Sequence, residues 1–112
     1  MKIQHTKIDD LLVIELVSEE IISSNADEIK SSIINLILQG EEQLIIDLSN
    51  VKFIDSRGLG MFISISKNVE PDGSMVLCAL SSNVMQVFEL TRLTKIFSIY
   101  KDTPSAINAL KK

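Results

Sequence analysis

Apolar residues recur along this chain with two periods that alternate repeatedly. From Ile3 to Lys7 and from Leu11 to Val17 the pattern predicts two strands, joined at Asp9-Asp10 as a hairpin. In the second strand Leu12, Ile14 and Leu16 share one face, and Glu15 points the other way. The period then lengthens. Ala26, Ile29, Ile33, Leu36 and Ile37 recur at helical spacing, with Asp27, Glu28, Lys30 and Ser31 off the stripe. Asn25 and Glu28 have the spacing of a capping box at its start, and Gly40 is a natural stop. Leu44-Ile45-Ile46-Asp47-Leu48 is a nearly continuous apolar run, as expected of a strand covered on both faces.

A connection from Ser49 to Ile54 leads into Asp55-Ser56-Arg57-Gly58-Leu59-Gly60, where a second helix begins and runs to about Val69. Pro71-Asp72-Gly73 reads as a turn, Met75 to Leu80 as a strand, and Val84, Val87, Phe88 and Leu90 as a third helix. Phe97 to Tyr100 reads as a short strand. Thr103 as N-cap before Pro104 then opens a last helix through Ile107 and Leu110. Strands alternating with single helices predict an α/β fold. The expected form is one domain over residues 1–112, with a mixed, mostly parallel sheet of four to five strands, an N-terminal hairpin and about four packed helices. In such sheets working residues gather beyond the carboxyl ends of the strands, where the Asp55-Ser56 loop is expected.

Composition narrows the functional classes. With 46% hydrophobic residues in 112, there is material for one modest core, and without tryptophan it must be built mainly of Ile, Leu, Val and Met. A net charge of −4 argues against a nucleic-acid partner. The apolar stretch Leu11 to Val17 is interrupted by Glu15 and is far too short to insert in a membrane. The start, Met1-Lys2-Ile3-Gln4-His5, lacks the apolar stretch of a signal peptide, so the expected location is cytoplasmic. Cys78 stands alone in an apolar run and reads as an inert core residue, and His5 reads as a structural side chain on the first strand. With no cluster of metal-ligand type, neither metal nor any other cofactor is expected.

The segment Asp55 to Gly60 carries the chemistry. One reading is helix capping, since Asp and Ser both satisfy free N–H groups at a helix start, with the glycines serving close packing. Two glycines in the first turns of a helix nevertheless cost about 1 kcal/mol each relative to alanine, so tight packing or a partner's approach must compensate. Leu59, Met61, Phe62, Ile63 and Ile65 also spread over more than one face, so a second face, including Met61 or Ile65, is expected to meet a neighbouring helix or a docking partner. A helix N-terminus tolerates the negative charge of a phosphoserine.

Leu48-Ser49-Asn50-Val51-Lys52-Phe53-Ile54-Asp55-Ser56-Arg57-Gly58-Leu59-Gly60 closely resembles the central signature of bacterial anti-sigma factor antagonists of the STAS family. The resemblance extends over Leu12 to Lys30, over Met75-Val76-Leu77-Cys78-Ala79-Leu80-Ser81, and over Val84, Phe88-Glu89-Leu90 and Leu93-Thr94-Lys95-Ile96-Phe97. It implies a non-catalytic partner-switching protein. By position, Ser56 would be phosphorylated by an anti-sigma factor that is itself a serine kinase of the histidine-kinase-like ATPase fold. A metal-dependent serine phosphatase would reverse the modification. Glu20, Asp55, Arg57, Gly58, Leu59 and Met61 would form the partner-binding surface. Two departures stand out. Arg57 replaces a small residue, and Glu19-Glu20-Ile21-Ile22 replaces a stretch that usually reads Gly-Glu-Leu-Asp, so that only Glu20 carries over.

The rival readings are a STAS scaffold or transport-associated domain without a sigma circuit, and an enzyme. The one histidine lies on the first strand and no nucleophile elbow is present, so a Ser-His hydrolase has no base. Neither a P-loop nor a complete G-x-G-x-x-G occurs.

Overall fold

The computed structural model describes residues 2–111. Strands β1 (Ile3–Ile8) and β2 (Leu11–Leu16) form the hairpin, with Ile3 opposite Leu16 and Ile8 opposite Leu11. Asp9 turns the chain at φ 53°, in the left-handed region that short polar side chains tolerate best after glycine. Strand β3 is only Glu20–Ile21, and helix α1 runs from Ala26 to Leu38, ending near Gly40 at φ 108°. There follow β4 (Gln43–Asp47), β5 (Phe53–Ile54), α2 (Ser56–Ser66), β6 (Ser74–Cys78), α3 (Ser82–Leu90), a 3-10 turn (Leu93–Lys95), β7 (Ile99–Tyr100) and α4 (Thr103–Leu110).

Five strands make the main sheet in the order β1-β2-β4-β6-β7, and every pairing beyond the hairpin is parallel. The period of two divides the central strands between two cores. Leu44 and Ile46 enter the larger one and Ile45 the smaller. Helices α1, α2 and α3 cover the larger core through Ile29, Ile33, Phe62, Ile65, Val84 and Phe88. Phe62, Phe88 and Phe97 meet edge to face there, with centroids 5.8, 6.4 and 6.3 Å apart. Truncating Phe62 would cost about 3–5 kcal/mol, as fully buried aromatics generally do. Helix α4 alone covers the other face, setting Ala106 against Leu11, Ile45, Val76 and Cys78. The Cys78 thiol is buried, with Sγ 3.4 Å from Thr103 Oγ1, and burial pushes its pKa up, as suits an inert core residue. His5 is exposed on β1.

Several local expectations are corrected. Asn25 does not cap α1; it faces backwards, accepting from the Ile22 N–H at 2.9 Å and donating to the Glu20 carbonyl at 2.8 Å, and so staples the turn before the helix. Asp102 rather than Thr103 caps α4, accepting from the Ser105 N–H at 2.9 Å. Thr103 donates its hydroxyl to Asp47 Oδ2 at 3.0 Å instead, tying α4 to the end of β4. Helix α2 ends at Ser66, short of Val69. Beyond it, the N–H groups of Asn68 and Val69 reach back only three residues, to Ile65 and Ser66. Strand β6 stops at Cys78 because Ala79 turns at φ 62°. Phe97 precedes β7 and belongs to the core after the 3-10 turn. The connection Ser49 to Ile54 holds strand β5, which pairs with β3 as a separate two-stranded sheet.

Candidate functional site

That small sheet builds the site. Strands β3 and β5 follow the carboxyl ends of β2 and β4 and run parallel, with Glu20 opposite Phe53 and Ile21 opposite Ile54. Asn50 holds the approach by donating to Glu15 Oε2 at 2.8 Å and to the Leu16 carbonyl at 3.3 Å. Alternation along β5 buries Ile54 and leaves Phe53 53% exposed beside the site. The Asp55 N–H then donates to the Ile21 carbonyl at 3.1 Å, fixing the residue where α2 begins.

Asp55 is the N-cap of α2. Its Oδ1 accepts from the Gly58 N–H at 2.9 Å, while Oδ2 accepts from the Ser23 N–H at 3.1 Å and the Ser23 hydroxyl at 3.4 Å. One carboxylate thus joins the loop before α1 to the start of α2. The Gly58 N–H is the main reason its pKa lies below the ordinary carboxylate value; partial desolvation opposes this, and the Ser23 donors add to it. Because Asp55 does the capping, Ser56 occupies the first helical position with an exposed side chain. Arg57 is exposed and pairs through Nη2 with Asp27 Oδ2 at 3.0 Å, bridging α2 to α1.

Gly58 faces inward. A Cβ there would stand 2.5 Å from the Ile21 carbonyl oxygen and 2.7 Å from Ile54 Cγ1, so α2 lies against β3 only because the side chain is missing. Gly60 faces outward, and a Cβ there would meet nothing within 4 Å. A groove of about 260 Å³ runs beside it, lined by Asp27, Lys30, Ser56, Arg57, Gly60 and Met61. A larger cleft of about 790 Å³ lies at the amino ends of the strands, around Asp9, Gln43, Ser74 and Lys111, away from Ser56.

The structure therefore groups Asp55, Ser56, Arg57 and the half-buried Leu59 at the start of α2, and β3 brings exposed Glu20 to the neighbouring strand. Gly58 is buried beneath them. Met61 and Ile65 resolve toward core packing rather than an open docking face, being 3% and 0% exposed. Sequence reasoning passed over Phe53, Ser23, Asp27 and Lys30. The out-then-in order of Phe53 and Ile54 before Asp55 was the available signal for the first; the other three come from the loop before α1 and from α1 itself, and only packing brings them here. Among the described residues no group of three or more His, Cys, Asp or Glu side chains could hold a metal ion, and no helix is long and apolar enough to cross a membrane.

The sequence model of the STAS domain matches residues 2–106. The chain belongs to the STAS domain family. Over 112 residues it is 30% identical to BtrV of Bordetella bronchiseptica, named as a candidate anti-sigma factor antagonist, covering 99% of this chain and 96% of that one. It is 33% identical over 86 residues to the anti-sigma-B factor antagonist of Listeria monocytogenes, covering 74% of each. Among solved structures, the anti-sigma factor antagonist SpoIIAA in its unphosphorylated form shares the STAS fold with a TM-score of 0.81 at 23% identity, over 96% of this chain and 95% of that one. Its phosphorylated form, from Bacillus, superposes with a TM-score of 0.73 at 22% identity, over 97% and 99%.

Proposed function

We propose that this STAS domain is an anti-sigma factor antagonist that works by partner switching, with Ser56 as its phosphorylation site. The observation that carries the reading is an exposed serine at the first position of α2, beside a carboxylate already committed to capping, in a chain matched over nearly its whole length by a relative named as a candidate antagonist. Unmodified, the protein binds an anti-sigma factor that is also a serine kinase of the histidine-kinase-like ATPase fold, and so frees the sigma factor. In that complex the Ser56 hydroxyl oxygen attacks the γ-phosphorus of the kinase's ATP. The Oγ–P bond forms, the bond from phosphorus to the β–γ bridging oxygen breaks, ADP leaves, and the hydroxyl proton passes to a base on the kinase. A metal-dependent serine phosphatase reverses the step by hydrolysis: water takes the phosphoryl group, the Oγ–P bond breaks, inorganic phosphate leaves and Ser56 regains its hydroxyl. The antagonist performs no catalysis of its own.

Release follows from charge. A phosphate brings about −1.5 to −2 charges beside Asp55, in a surface that must lose water on docking. The fold is unaffected, because a helix N-terminus accommodates an anion. Asp55, Arg57 and Leu59, beside the serine at the start of α2, and Glu20 on the neighbouring strand supply the contact surface, with exposed Phe53 as its apolar element. Gly58 shapes that surface from beneath, and Met61 lines the groove alongside it. Titration calorimetry against the kinase tests the proposal. Ser56→Ala is expected to bind like the unmodified protein, phosphorylated protein to bind at least about tenfold more weakly, and Ser56→Asp to fall between them, since a carboxylate carries less charge than a phosphate. Equal affinities for the unmodified and phosphorylated protein would exclude a switch and leave a constitutive scaffold.

A further inference from the structure

Gly60 lies within α2, where glycine weakens a helix, and the fold does not explain its presence. A Cβ at this position would meet nothing within 4 Å, and its backbone is not in the positive-φ region that would require glycine. Gly58, two residues earlier, is fully explained by its contact with Ile21 and Ile54. Nothing in the packing thus requires glycine at position 60.

Residues four apart on a helix stack on one face, so position 60 stands one turn above Ser56. Cα–Cβ bonds tilt toward the helix N-terminus, so a residue covers the surface of the turn preceding its own. A side chain at 60 would lie over Ser56 and fill the groove that the two residues share with Asp27, Lys30 and Arg57. That groove carries Lys30 and the Arg57–Asp27 ion pair beside the hydroxyl, a net positive lining that suits the approach of an anionic phosphoryl donor.

We propose that Gly60 is the access-determining residue of this site: by lacking a side chain it keeps the Ser56 hydroxyl open to the phosphate end of an ATP held by the partner kinase. The inference rests on Ser56 being the acceptor, and one arm of its test is independent of any kinase. In that arm Ser56→Cys is placed in the full chain and its alkylation by iodoacetamide and by a bulky maleimide is timed in Gly60, Gly60→Ala and Gly60→Gln backgrounds. The chain with Ser56 intact reports any background from buried Cys78. Maleimide labelling is expected to fall about tenfold with Gly60→Gln and less with Gly60→Ala, the smaller reagent being less affected, as for a nucleophile covered from the next turn. The second arm times phosphate incorporation into Ser56 from magnesium ATP by the proposed partner kinase, and the same order of variants is expected. Both glutamine and alanine favour helix over glycine, so a raised melting temperature in each variant separates blocked access from misfolding. Equal labelling across the three backgrounds overturns the access role. Absence of phosphate transfer to the otherwise unaltered chain, with graded labelling, instead overturns the proposed switch and leaves Gly60 as the gate to Ser56.

Discussion

Gly58 and Gly60 belong to the same two turns of α2, yet they answer to different demands. The first presses the helix against the carbonyl of Ile21, and its missing side chain is a condition of packing. The second opens onto solvent, where alanine would serve the helix better. On either side of them the chain presents Ser56 and Arg57 outward while Met61 and Phe62 turn into the core. The inner side of α2 is constrained by fit, and the outer side departs from what stability alone would choose. Such a departure is what the proposed contact surface would leave in the fold.

Gly58→Ala breaks the comparison most sharply. The added carbon would overlap backbone, which cannot rotate away, so a loss of about 3 kcal/mol or more in denaturant unfolding is expected, at the upper end for overpacked cores. A change under about 0.5 kcal/mol, the usual range for surface sites, would show that α2 slides outward without penalty.

Asp55→Asn probes the joint between the two sides and is expected to cost less. The depressed pKa of Asp55 means that the stability its charge contributes is complete above the ordinary carboxylate pKa of about 4 and is lost as pH falls through the lower folded value. The stability difference between the native chain and Asp55→Asn should therefore be constant from neutral pH to about pH 5 and shrink below about pH 4. A difference that grew on acidification would reverse the assignment.

On the outer side the effects on stability are small. Gly60→Ala should raise stability by up to about 1 kcal/mol, a gain visible in the melting temperature. Arg57→Ala should leave stability within about 0.5 kcal/mol, because its pair with Asp27 is 61% and 63% exposed and screened by water. Its effect is expected in kinase affinity instead. Calorimetry showing unchanged affinity would remove Arg57 from the interface.

Much of this was legible in the chain. The alternating strands and the apolar stripe from Ala26 to Ile37 reflect local periodicity, so the order of elements and most core residues follow from them directly. The site was legible where it is contiguous, since Asp55, Ser56 and the two glycines announce a loop entering a helix. Polar side chains were misjudged where one could serve two partners. Asn25 and Thr103 both have cap-forming spacing, but Asn25 is drawn to Ile22 and Glu20, and Thr103 to Asp47. Strand β3 was missed because two residues are too few to show a period.

The sequence by itself determined the α/β order, the two-faced strands and a hydroxyl at the head of a helix, because each depends on residues near one another in the chain. Tertiary structure decided that Ser23 and Asp27 meet residues 55 and 57, across separations of more than 25 positions. It also decided which glycine faces the core. A helix gives every residue a direction, but only the placement of β3 and α1 against α2 makes one direction inside and the other outside.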